Sequence, residues 1–399
     1  EINYTGDRLQ FIIFILQRVI QISKMKNLFM AVFIYLWGIQ LFSQGSDEEF
    51  NAYINREISE SKIAGMGIAI ITNDSILVTK GYGYADIQNK VPFTHNTIIN
   101  IASISKTFIS IAIMHAVENN LLDLDNNVND ILPFKLMNPY SPDRFITLRH
   151  LMSHTSGIQD DYTIYYGSYC YGDDSPTSLG EFLADYLSPL GENYSKNNFT
   201  NTKPGGKFNY SNIGAGLAGY IVEIATGKPL NVFTREIIFK PLDMENTCWF
   251  LSEMDITKHS KLYETRKFIK GWKEIPIYGL TTYPDGGVRT TINDLSNYLL
   301  CIMNNGSFKG NSIIQKSSVL EMLTPDFSGS YAKFWQAGKR IGHGGGDPGV
   351  STRMYFDPGK KLGIIIFINT GSYDNFEELE DKVYEYGSSL LSQINNSKK

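Results

Sequence analysis

Apolar and polar positions alternate, or run in short blocks, at the two ends of the chain and follow a helical period through its middle. Gly67 to Thr72 and Ser75 to Lys80 read as strands about a turn at Asn73-Asp74, and Gly81 to Asp86 carries the second strand into a loop. Near the other end, Arg340 to His343, Val350 to Phe356 and Lys361 to Ile368 alternate or run apolar. Asp357-Pro358-Gly359 turns between the last two. Helices are predicted over about 46–60 and 374–393, and a largely helical stretch over about 101–270, with loops at 123–133 and 139–144. Strands from both ends around a helical insert predict an α+β fold. One antiparallel sheet is built from N- and C-terminal segments and flanked by helices, and a mainly helical lobe is inserted over about 101–270.

The segment before this fold carries its own pattern. Met25-Lys26-Asn27 leads into apolar Leu28 to Phe42, then Ser43-Gln44-Gly45. A basic end, an apolar core and a small-polar exit predict a signal peptide over 25–44 and export to a periplasmic or extracellular site. The apolar core is shorter than a spanning helix needs. Residues 1–24 lack a methionine and break their apolar run at Gln17, Arg18 and Gln21, so they read as an upstream segment outside the mature protein. The folded domain is expected over 45–399. A retained N-terminal segment would instead make a membrane anchor. No cysteine follows the apolar core, so a lipid anchor is not expected.

Charge and composition narrow the partners. With 36 basic against 41 acidic residues, a net charge of −5 and no basic stripe, nucleic acid is not an expected partner. Cys170, Cys248 and Cys301 are widely spaced, without C-x-x-C, and the six histidines include no H-E-x-x-H, so neither a metal nor another cofactor is expected.

Three motifs carry the candidate chemistry. Ser103-Ile104-Ser105-Lys106 precedes the apolar stretch Phe108 to Leu122, which puts Ser103 and Lys106 one turn apart at a helix start. A serine hydroxyl needs such a base, and a helix N-terminus favours nearby negative charge. Ser59-Glu60-Ser61-Lys62 fits the same pattern but lies in a charged amphipathic helix. Tyr210-Ser211-Asn212 would bring a phenol that passes protons near Lys106 and an amide that bonds it. Tyr53-Ile54-Asn55 and Tyr373-Asp374-Asn375 match that triplet too. Gly342-His343-Gly344-Gly345-Gly346-Asp347-Pro348-Gly349 sits between two strands, where its glycines let another backbone or a ligand approach, or simply make a turn with a surface histidine.

Taken in order, these motifs resemble the serine β-lactamase-like superfamily. They are most similar to its class C-type branch of class C β-lactamases, D-alanyl-D-alanine carboxypeptidases, D-aminopeptidases and β-lactamase-fold esterases. Lys80 to Asp86, Ile146 to Ile158 (ITLRHLMSHTSGI), Phe239 to Met244 and Asp285-Gly286-Gly287-Val288 match further landmarks, so the resemblance spans about 46–395. It implies Ser103 as acylated nucleophile, Lys106 as base or proton relay and Tyr210 as second member of the base system. Asn212, His343, Gly345 and Gly346 are implied in substrate binding, with the amides of Ser103 and Gly346 as oxyanion hole. His154 and Ser156 are read as structural loop residues.

Two departures shape the expected substrate. His343 stands where many relatives carry the lysine of Lys-Thr-Gly, which removes a fixed positive charge for a substrate carboxylate. Arg340 or Arg353 are the candidates to replace it. The long connection from Gly157 to Pro204 holds Tyr162, Tyr165, Tyr166, Tyr169 and Tyr171 beside Asp160 and Asp161, either as a substrate wall or as a loop packing its own rings. The expected function is a serine hydrolase cleaving an ester, peptide or β-lactam through a Ser103 acyl-enzyme. The rival is a non-hydrolytic protein of the same fold that binds cell-wall peptides or β-lactams.

Overall fold

The computed structural model describes residues 47–265 and 271–397. The segments predicted at 1–24 and 25–44 lie outside the described residues. Residues 55–388 form one compact unit that carries everything below, and the described residues 47–54 and 389–397, both helical, belong to a second.

Both ends of the sequence enter one sheet. Its strands are β1 (Gly65–Thr72), β2 (Ile76–Asp86), β3 (Val91–Pro92), β4 (Ile341–Asp347), β5 (Val350–Asp357) and β6 (Leu362–Ile368), in the order β4-β5-β6-β1-β2-β3. Every pairing is antiparallel, and β1 meets β6 from Met66 opposite Ile368 to Thr72 opposite Leu362. β1 and β6 are buried throughout, which is why they read as apolar runs rather than alternating strands. Helix α3 (Ile292–Met303) covers one face of this pair, and α4 (Phe376–Ser397) lays Gly387 against Ile70 and Leu362 on the other.

The glycine-rich run, which sequence alone leaves open as a turn, is strand. β4 extends through Asp347, and only Pro348-Gly349 turns, with Gly349 at φ +75°. β4 also forms one edge of the sheet. Between the two sets of strands, α1 (Ser105–Glu118) is buried on nearly all sides and packs against α2 (Asn212–Thr226). A helix apolar all round belongs in the centre of a lobe. The stretch predicted as helical is not wholly so. Tyr169–Tyr171 pairs with Tyr278–Leu280, and Leu262–Thr265 with Trp272–Ile275. Segments of three or four residues are too short for a period-two pattern to declare itself. No helix among the described residues is long and apolar enough to cross a membrane.

Candidate active site

Ser103 sits in a single 3-10 turn, Ala102–Ile104, that runs directly into α1. Ala102 adopts φ +48°, a conformation that costs a residue with a Cβ about 1–3 kcal/mol. The surroundings enforce it. Ile101 donates its amide to Val288 O at 2.9 Å, and its carbonyl accepts from Thr352 Oγ1 at 3.0 Å. The missing side chain of Gly345 matters here, because a Cβ would fall 2.4 Å from Ile101 O and 2.3 Å from Thr352 Oγ1. Gly345 is therefore a contact glycine that seats β4 against the serine turn. It is buried, with only its backbone bordering the cavity beside Gly346.

Lys106 lies one turn on and is fully buried. Its Nζ is 3.0 Å from Ser103 Oγ, 2.8 Å from Asn212 Oδ1 and 2.7 Å from Asp285 O. An ammonium donates to all three. A neutral amine donates to the two that can only accept and offers its lone pair to the serine hydroxyl, so both protonation states satisfy the site. The Tyr210 ring lies 5.0 Å from Nζ and 4.2 Å from the His154 ring. Its contact with Lys106 is through the ring face, and no hydrogen bond joins the Tyr210 hydroxyl to either Lys106 or Ser103. In unliganded sites such bonds are often long and tighten only with substrate.

Asn212 is held from outside its own motif. Ser211 caps α2 through Gly214 N at 2.8 Å, and Asp160 accepts from Ser211 Oγ (2.6 Å), Asn212 N (2.7 Å) and Ile213 N (3.2 Å). This carboxylate neutralises the free amides and positive dipole end of α2. Burial pushes Asp160 up, against the bonds from Ser211 and the amides.

Strand geometry orients Gly346. Gly342 exchanges both backbone hydrogen bonds with Gln336 across the outer edge of β4, at 2.8 and 3.1 Å. Residues two and four further on point the same way, so Gly344 and Gly346 present their amides to that free edge. Gly346 is exposed, and a cavity of about 660 Å³ opens beside it, bordered by Tyr166, Gly344, Asp347 and Arg353.

The tyrosine-rich loop packs against this site. Tyr165 OH donates to Asp285 Oδ1 at 2.7 Å, Tyr169 OH reaches Asp347 Oδ1 at 2.9 Å, and the two hydroxyls are 3.2 Å apart. Asp285 Oδ2 is buried without a hydrogen-bond partner. Burial pushes Asp285 up to about 6 and Asp347 up to about 7. Three links and two phenolic protons leave room for one further proton on either carboxyl. Tyr165 and Tyr169 pack inward, while Tyr162, Tyr166 and Tyr171 stay exposed.

The profile of the family described as Beta-lactamase matches residues 40–386. The chain belongs to this family. Protein flp of Staphylococcus aureus (strain MRSA252) is 26% identical over 87% of this chain and 69% of its own. Among solved structures, the octameric penicillin-binding protein homologue from Pyrococcus abyssi is 25% identical, with a TM-score of 0.66 over 88% of this chain and 77% of its own. The D-amino acid amidase from Ochrobactrum anthropi SV3, complexed with D-phenylalanine, is 21% identical, with a TM-score of 0.68 over 88% of this chain and 99% of its own.

Against the β-lactamase pattern, His343 is the expectation that changes most. It is only 2% exposed, and both ring nitrogens are engaged inside the protein, by Tyr331 OH (2.9 Å) and Gly344 O (2.6 Å). Burial pushes it down to about 3, with the Lys106 charge adding to the effect. The side chain therefore reaches no substrate. Both arginines are already paired. Arg353 Nε bonds Glu380 at 3.0 Å and stacks on Phe376, while Arg340 pairs with Asp381 at 2.5 Å and faces Glu380 at 3.5 Å. Sequence reasoning missed three residues of the site. Asp160 was visible only as a loop acid, Asp285 only as a landmark, and Tyr331 carried no signal.

Proposed function

We propose that the protein is a serine hydrolase that cleaves an ester or amide through an acyl-enzyme at Ser103. The observation that carries this reading is the buried Lys106 amine, aimed at Ser103 Oγ from 3.0 Å and fixed by two acceptors behind it. Ser103 Oγ attacks the carbonyl carbon as its proton passes to the Lys106 lone pair. The carbonyl oxygen becomes an oxyanion between the amides of Ser103 and Gly346, each such donor being worth about a hundredfold or more in rate. Collapse breaks the bond to the leaving amine or alcohol, which takes the proton from the Lys106–Tyr210 pair. Water then attacks the acyl group and gives its proton to that pair, which passes it to Ser103 Oγ as the acyl–serine bond breaks and the acid leaves.

Uncharged acyl groups are proposed to fit this site better than β-lactams or peptides ending in a carboxylate, because His343 is buried and Arg353, which borders the cavity, is already engaged by Glu380. Amides and esters without an adjacent carboxylate are the proposed substrates. Export is proposed with this activity, from the signal-peptide pattern at 25–44.

Intact-mass analysis with a fluorophosphonate, a p-nitrophenyl ester and a penicillin tests the reading. An adduct mapped to Ser103 is expected, with ester turnover that disappears in Ser103→Ala while its thermal melt stays unchanged. Turnover at the wild-type rate by Ser103→Ala, or an adduct at another residue, would end the proposal.

A further inference from the structure

Behind the Tyr210 ring runs a second set of buried polar groups that the acyl-enzyme steps do not use. Ser211 N donates to His154 Nδ1 at 3.1 Å, His154 Nε2 lies 3.2 Å from Tyr331 OH, Tyr331 OH lies 2.9 Å from His343 Nε2, and His343 Nδ1 lies 2.6 Å from Gly344 O. His154, Tyr331 and His343 are each at most 4% exposed.

The two ends of this series fix its protons independently. A backbone N–H only donates, so His154 Nδ1 carries no proton, and the neutral ring bears its hydrogen on Nε2, facing Tyr331. A carbonyl only accepts, so His343 Nδ1 carries the proton and Nε2 is a bare acceptor, also facing Tyr331. One group that accepts on one side and donates on the other completes the series, and a phenol hydroxyl does both. Every polar atom is then satisfied, in one direction from Ser211 N–H to Gly344 O. Burial holds both rings neutral, as the single direction requires, and the Lys106 charge reinforces this for each.

The position of the series gives it a role. It starts between Tyr210 and Asn212 and ends two residues before Gly346. The Tyr210 ring rests 4.2 Å from His154, 6.5 Å from Tyr331 and 6.3 Å from His343. His154 itself is held at φ +53°, a strained conformation for a residue with a Cβ. We propose that Tyr331 is a positioning residue, the hub of a one-way His154–Tyr331–His343 hydrogen-bond chain that ties the start of α2 to β4 and seats the Tyr210 ring between them. The proposal rests on the acyl-enzyme reading for its kinetic consequence only. The chain itself is a statement about tautomers.

The experiment therefore has two readouts. ¹⁵N spectra of the histidine rings in the full chain, with assignments from His154→Gln and His343→Gln, report the tautomers directly. Both rings are expected neutral at pH 6, His154 protonated at Nε2 and His343 at Nδ1. The opposite tautomer in either ring, or a cationic ring at that pH, overturns the chain whatever the activity. Tyr331→Phe keeps the ring and removes the hydroxyl, leaving a donor and an acceptor unpaired. Its kcat on a p-nitrophenyl ester is expected to fall tenfold or more with KM changed less than threefold, and the His343 Nε2 resonance to move to that of a nitrogen without a hydrogen bond. A folded Tyr331→Phe with wild-type kcat overturns the positioning role. Wild-type protein inactive on every ester, with the tautomers as expected, would count against the hydrolase reading and leave the chain standing.

Discussion

His343 shows how far a residue's environment changes what its type suggests. The resemblance to the Lys-Thr-Gly pattern suggests a residue that meets substrate, whereas this histidine is enclosed by Tyr331, Gly344 and the rings around Tyr210. Replacing it with lysine does not restore a carboxylate site. It puts an ammonium into a buried pocket already under the field of Lys106, with no carboxylate to pair it. An uncompensated buried charge costs about 3–5 kcal/mol. His343→Lys is expected to unfold at a clearly lower urea concentration and to gain no penicillin turnover. A variant as stable as wild type that hydrolyses penicillin would contradict the buried placement. Asp160 makes the complementary point, since a loop acid with no motif of its own holds Ser211, Asn212 and Ile213 in register.

At the level of elements, β4 meets the turn before α1 through one glycine of three. A Cβ on Gly346 meets open space, and one on Gly344 meets the movable end of Arg353. On Gly345 it meets the backbone carbonyl of Ile101, which cannot move without dragging Ala102 and Ser103. Overpacking of this kind costs about 1–3 kcal/mol, and a displaced oxyanion donor about a hundredfold in rate. Gly345→Ala is expected to lose ester turnover by at least that factor, and Gly344→Ala to lose far less. Equal losses in the two variants, measured as kcat/KM, would remove the special role of Gly345. The sequence shows four glycines around a histidine and ranks none of them. Strand parity and the seat against Ile101 do.

For the molecule as a whole, the buried acids and histidines set opposing pH trends. His154 and His343 stay neutral in the fold, so the unfolded chain takes up their protons first, and stability is lost as pH falls below about 6.5. Asp285 and Asp347 are raised, to about 6 and about 7. Between the ordinary carboxyl value and these values the folded state holds protons that the unfolded state has released, so their contribution falls as pH rises. Between about pH 6.5 and 7.5 the unfolded chain is still giving up its histidine protons while folded Asp347 is giving up its own, so the two trends oppose each other. Over that window the urea midpoint of Asp347→Asn, which keeps an acceptor for Tyr169, is expected to rise relative to that of the wild type, because only the wild type loses the Asp347 contribution as pH rises. Identical slopes would show that Asp347 ionises without strain.

Local pattern was enough to give the strands at both ends of the chain, α1 with Ser103 and Lys106 at its start, and an antiparallel α+β fold. Each of these depends on residues within a few positions of one another, where period and motif spacing act directly. The same pattern gave the ordered motifs that mark the Beta-lactamase family. Tertiary structure alone decided that Asp285, 179 residues from Lys106, lends its carbonyl to the amine, and that Tyr331, 177 residues from His154, closes the histidine chain. It also decided that His343 and Gly345 face inward and Gly346 outward. Those outcomes follow from which lobe packs on which strand edge, and no spacing along the chain encodes a contact that only burial of both partners creates.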